Sequence, residues 1–201
     1  MFRFPFGLVA AVAIGAAAIP AAAQFNPLSI IKGAVEAAVE DRSSGDIAKD
    51  TEIKAKITAE VIDKMGSEVI SINADVYEQD VMLTGAVEKP EIKDKAGKLA
   101  AGVAGGKSVI NELLVIKPVE QKKGAVEGFV DDTVIDTKIN GLLLDGKGVN
   151  VTNFRWRSVQ GHVFLFGRAL SAEEKAKAIG IVKSIKGVQS VTDRVKVRPK
   201  S

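Results

Sequence analysis

The chain has 201 residues, with no cysteine, one histidine and one tryptophan, and 28 basic against 25 acidic side chains. Without cysteine there are no disulfides, thiolate metal sites or cysteine nucleophile, and the single histidine, His162, excludes multi-histidine zinc sites. A Ser-His-Asp triad would have to be built around that one residue. An apolar content of 46% with 26% charged residues belongs to a folded chain.

Residues 1–23 read as an export leader: Arg3, the apolar run from Phe6 to Ile19, Pro20, then Ala21-Ala22-Ala23 before Gln24. The run is shorter than the roughly 20 residues needed to span a bilayer. A cleaved leader and a periplasmic location are therefore expected, and with no lipoprotein cysteine the expectation is a diffusible protein. Residues 24–49 read as an amphipathic helix and linker, with Leu28, Ile31, Val35 and Ala38 on one face. That face could lie on a membrane, but Lys32, Glu36 and Glu40 opposite it favour packing on a domain.

A shift of 82 residues superposes 50–117 on 132–199 without a gap. Asp50-Thr51 with Ile53, Lys56 and Ile57 matches Asp132-Thr133 with Ile135, Lys138 and Ile139. Val81, Leu83 and Gly85 match Val163, Leu165 and Gly167, and Gly105 with Ser108-Val109 matches Gly187 with Ser190-Val191. Each copy reads as helix, strand, strand, helix, strand. Asp132 is the expected N-cap of a helix with Ile135, Ile139 and Leu142/Leu143 on its inner side. A hairpin follows, turning at Gln160-Gly161. Gly85 and Gly167 are expected to end the second strand where a side chain would obstruct the chain. Ser171-Ala172-Glu173-Glu174 reads as a capping box, Lys89-Pro90 as a helix start, and Gly105 and Gly187 as helix C-caps. Residues 118–131 are the connection. Two helices and three strands per copy predict an α+β fold, each unit a two-layer α/β sandwich of order αββαβ with a three-stranded mixed sheet.

These blocks resemble the BON domain family, whose pattern joins an Asp-led first helix, a V-x-L-x-G strand and a later G-V strand entry. The first copy departs from it only in reading Gly105-Gly106 where the second keeps Gly187-Val188. The resemblance implies a non-enzymatic envelope role without cofactor: phospholipid binding, outer-membrane integrity, or assistance to outer-membrane proteins. It also implies that the first helix of the second domain, Asp132 to Leu144, meets anionic lipid, with Val134 where an aromatic anchor is usual. Val134, Ile135 and Lys138 are the candidates there.

Charge divides unevenly, with 9 basic and 12 acidic residues in 50–117 against 12 and 6 in 132–199. The basic second unit is expected to face an anionic surface or an acidic neighbouring domain. Strand parity puts Val163 and Leu165 toward the helices, and Phe164, Phe166, Arg168, Arg194, Lys196 and Arg198 on the outer sheet face. Arg155 and Arg157 alternate with Phe154 and Trp156, which face the core. An uncovered sheet face bearing phenylalanines needs a partner, either the other domain or a lipid or protein surface. The expected partners are anionic phospholipid or outer-membrane proteins, not nucleic acid. The leading expectation is a protein that supports envelope integrity through its basic second domain. The alternative is a chaperone of osmotic-stress type that binds outer-membrane proteins without touching lipid. His162 is expected to be an exposed turn residue with no triad around it.

Overall fold

The computed structural model describes residues 40–66, 71–103, 105–116 and 131–199. The expected leader, residues 24–39 of the expected amphipathic helix and linker, and most of the connection lie outside the described residues. The first unit comprises α1 (Ser44–Met65), β1 (Asn73–Tyr77), β2 (Asp80–Thr84), β3 (Ala86–Val87), α2 (Pro90–Gly102), β4 (Ser108–Asn111) and β5 (Leu114–Val115). The second comprises α3 (Asp132–Asp145), a 3-10 turn (Val151–Asn153), β6 (Phe154–Val159), β7 (His162–Ala169), α4 (Ala172–Lys183) and β8 (Ser190–Val197). Short β3 and β5 pair in parallel, as the far ends of β7 and β8 do, so both units share one plan.

Each sheet is mixed. β1 runs antiparallel to β2 and β6 to β7, whereas β4 and β8 return parallel after a helical crossover. The helices cover one face of each sheet. Ile53, Ile57 and Val61 of α1 pack on Ala74, Val76, Val81 and Leu83, and Ile135, Ile139 and Leu143 of α3 pack on Phe154, Val163 and Leu165. Each unit thus has its own core, although about 68 residues is a small domain.

The helix starts differ from the sequence expectation. α1 opens at Ser44 because the Ser43 hydroxyl accepts the Asp46 N–H at 3.1 Å, so residues 44–49 are helix and not linker. Asp131, not Asp132, caps α3 by accepting from the Thr133 and Val134 N–H groups. Asp132 has another task, as does Asp50 in the first unit. The hairpin turns Glu78-Gln79 and Gln160-Gly161 have positive φ at both residues, the geometry that suits the twist of a two-residue hairpin. In such a turn the two successive N–H groups point outward together. The Asp50 carboxylate accepts both from Glu78 and Gln79 at 2.7 Å, and Asp132 accepts both from Gln160 and Gly161 at 2.7 and 2.8 Å. One carboxylate per unit therefore stitches its first helix to its hairpin.

The capping box of α4 is only half formed. Ser171 accepts the Glu174 N–H at 3.1 Å, but the Glu174 carboxylate turns to the N–H groups of Asn150 and Leu170. Gly167 lies inside β7 and does not end it. Its φ is +112°, and a Cβ there would stand 2.2 Å from the Asn153 carbonyl oxygen. At Gly85 the corresponding distance, to the Ser71 oxygen, is 1.6 Å. The glycines let the entering chain cross close over the second strand. Gly105 and Gly187 have positive φ but lie past the helix ends, at the approach to the last strand.

The outer sheet faces of the two units pack against each other. Tyr77 and Met82 from the first meet Phe164 and Phe166 from the second, with Ile110, Leu114 and Val159 at the margin. The outer face of the second unit is thus an interdomain contact. Phe164 and Phe166, 3% and 1% exposed, are covered in this closed arrangement.

Candidate functional site

Strand alternation brings the basic candidates to the rim of this contact, where each finds an acid from the N-terminal side. Arg157 lies 3.4 Å from Asp75, Arg168 2.8 Å from Glu78 and Arg194 2.6 Å from Glu112. Lys196 pairs with Asp80, Arg155 with Glu40, and Arg198 with Glu78 and Asp80. The uneven charge of the two copies is largely matched internally. The anionic surface that the second unit faces is the first unit.

Two of these pairs join positions that are themselves equivalent in the repeat. Asp75 and Arg157 are 82 residues apart, as are Glu112 and Arg194. The units are therefore related across the interface by an approximate two-fold axis passing near both pairs.

Residues 40–43 tie the units together at one end of the interface. Arg42 bonds Glu40 and Asp50, the latter at 2.5 Å, and its guanidinium lies 4.3 Å from the centre of the Tyr77 ring, with Arg155 at 5.4 Å. The Asp41 carboxylate accepts from the side-chain amides of Asn150 and Asn153 at 2.9 and 2.8 Å, and its carbonyl accepts from Arg168 at 3.2 Å. The Tyr77 hydroxyl donates to Asn153 at 3.1 Å. Burial pushes the Tyr77 phenol well above its usual range. Burial also works to raise Asp80, but bonds from Lys196 and Ser108, with Arg198 nearby, outweigh it and hold that carboxyl low. Tyr77 and Asn153 did not stand out in the sequence, and Glu40 was read only as part of the polar face of an N-terminal helix. The signal available was the acid-rich character of the first copy, which complements the basic second.

The candidates on α3 separate. Ile135 is 2% exposed and belongs to the core, so it contacts no partner. Val134 is 44% exposed and Lys138 is exposed on the outward side. Leu142 and Leu144, 44% and 66% exposed, stand on the two flanks of that side, because residues two apart on a helix do not face the same way, with Gly141 between them. Lys177 reaches the Lys147 carbonyl just beyond the end of the helix. No helix among the described residues is long and apolar enough to cross a membrane.

His162 opens β7 half-buried, and its Nδ1 is 2.7 Å from the Ser190 hydroxyl on the paired strand. A serine therefore does meet this histidine. The equivalent pair in the first unit is Asp80 and Ser108, bonded at 2.5 Å, so the contact is a strand pairing found in both copies.

The chain matches the BON domain family over residues 49–117 and again over 131–199. It is 34% identical over 129 residues to an uncharacterized protein in the gshII 5' region of Anaplasma centrale, covering 64% of this chain and 82% of that one. It is 30% identical over 154 residues to the osmotically-inducible protein Y of Escherichia coli strain K12, covering 77% and 75%. To the outer membrane lipoprotein DolP of Haemophilus influenzae it is 30% identical over 186 residues, covering 92% and 86%. The duplicated strand and helix pattern and these matches agree: the chain belongs to the BON domain family and carries two BON domains in tandem.

Proposed function

We propose that this is a non-enzymatic protein of the bacterial envelope that makes reversible contact with anionic phospholipid through the outward face of α3. The observation that carries this is the exposure of Val134, Leu142 and Leu144 on a helix that leaves the interdomain contact free. Lys138, Lys147 and Lys177 supply positive charge on or near that face. The basic sheet face is covered by the first domain while the contact is closed, which favours α3 as the site. The leader read in residues 1–23 supports export, and the similarity to an outer membrane lipoprotein supports an envelope setting.

Magnitudes decide the type of contact. Burying one such leucine is worth about 1.5–3 kcal/mol, and each well-placed lysine about 1 kcal/mol near an anionic surface. Two leucines and a few lysines give weak, salt-sensitive attachment rather than anchoring.

The test is co-sedimentation at low salt with phosphatidylglycerol and phosphatidylcholine vesicles. The native chain is expected to bind the anionic vesicles selectively, and Leu142→Asp with Leu144→Asp to weaken that binding at least about tenfold. Equal sedimentation with both lipids, or an unchanged affinity of the double variant, would overturn the proposal. A chain that sediments with neither lipid but cross-links to unfolded outer-membrane proteins would be acting as a chaperone.

A further inference from the structure

The contact between the domains has a small apolar centre and a wide ionic rim. Four side chains, Tyr77, Met82, Phe164 and Phe166, form the centre. Around it the cations come from the second domain, and the acids come from the first domain and from Glu40 just before it. Among the described residues every cross-contact ion pair therefore pulls in the same sense, and added salt weakens all of them together. The cationic side of the rim is open to water, with Arg157, Arg194, Lys196 and Arg198 about two-fifths exposed, while the acids they meet lie deeper. Exposed charges are the ones mobile ions screen. The domain cores are separate, so nothing inside either depends on the contact staying shut.

We propose that this contact is a salt-responsive clamp, closed at low ionic strength by the rim of ion pairs and opened when salt screens them, with both domains still folded. Opening frees an apolar sheet face on each domain, one centred on Tyr77 and Met82, the other on Phe164 and Phe166. Arg42, 5% exposed between Glu40 and Asp50, is shielded and keeps its contacts within the N-terminal side, so residues 40–43 leave with the first domain. The bonds that part there are those from Asp41 to Asn150, Asn153 and Arg168, and from Glu40 to Arg155.

The chain has its own probe. Tyr77 is the one tyrosine in the sequence and is 2% exposed at the centre of the contact, while Trp156, the one tryptophan, packs on the core of the second domain. The full chain is treated with N-acetylimidazole at neutral pH, and acetylation of Tyr77 is followed by peptide mass. Raising sodium chloride from about 10 mM to about 1 M shortens the screening length from roughly 30 to 3 Å. Tyr77 acetylation is expected to speed up at least about tenfold over this range as the open form gains population, with Trp156 emission and circular dichroism unchanged. Sucrose at matched osmolarity should leave the rate alone. The triple variant Arg168→Gln, Lys196→Gln, Arg198→Gln should react quickly even at low salt. A rate indifferent to salt, a triple variant as slow as the native chain, an equal effect of sucrose, or a rise accompanied by loss of circular dichroism would each overturn the clamp.

Discussion

At the scale of single residues, the carboxylates of this protein differ in what their surroundings ask of them. Asp136 on α3 is partly sunk beside β6. Burial raises its carboxyl, while the Ser158 hydroxyl bond at 2.7 Å and nearby Arg157 oppose the rise, and Asp132 adds to it. A raised acid binds its proton more tightly in the folded chain than in the unfolded one. Its ionisation therefore removes stability as pH climbs from the ordinary carboxylate value through the folded one. Asp136→Asn keeps an acceptor for Ser158 and removes the charge. Urea unfolding is expected to show the variant more stable than the native chain at pH 7, with the difference closing as pH falls toward about 4. A variant less stable at pH 7, with the deficit closing as pH falls, would show that the Arg157 attraction outweighs desolvation.

At the scale of elements, the stitch from first helix to hairpin is the device used twice. Asp132→Ala leaves two adjacent turn N–H groups without their acceptor, and each hydrogen bond to a charged group is worth about 1.5–3 kcal/mol. Water reaches this hairpin end, which lowers the cost, so a loss of about 2 kcal/mol in chemical unfolding is expected. Because Asp131 still caps α3, helix content should survive while the hairpin amides lose protection from hydrogen exchange. The need for an acid at position 132 was legible in the sequence, but its task was not. An Asp before an apolar-periodic run reads as a cap, and only the folded hairpin shows where the carboxylate points. The start of α1 was hidden for a similar reason. Residues 44–49 carry Gly45, Asp46 and Lys49 with little apolar periodicity, so the turn they form leaves no mark in the pattern. Strand parity was the strongest signal. Alternation along β7 separates Val163 and Leu165, in the helix-covered core, from Phe164 and Phe166, in the contact between domains.

At the scale of the whole molecule, parity says which side of a sheet a residue takes but not what lies against that side. The uneven charge of the copies was plain in the sequence, and an acidic neighbouring domain was one of its two readings. Choosing between them needed the approach of the two sheets, which no local pattern encodes. The same approach sets the response to acid. Asp80 is held low by Lys196, Ser108 and Arg198, so its contribution is present above the ordinary carboxylate value and lost as pH falls through its lower folded value. Thermal unfolding is expected to lose stability steeply below about pH 4. Asp80→Asn should flatten that limb while lowering stability at pH 7 by about 1–3 kcal/mol, the cost of leaving half-exposed Lys196 without its partner and Arg198 with Glu78 alone. An Asp80→Asn curve parallel to the native one would show that the pairing adds nothing to the acid limb.

The two-fold relation between the domains carries a further meaning in the pairs Asp75 with Arg157 and Glu112 with Arg194. In a symmetric dimer of a single ancestral BON domain, each of these positions would meet its own copy on the axis. Any charged residue there would face its like and repel it. Fusing two copies into one chain removes that constraint, because the same position can now be acid in one half and base in the other. Divergence at the axis turns a place where a self-dimer must stay neutral into one that rewards unlike partners. Each half thereby carries, at the axis, a charge that repels its own copy and attracts its sister's.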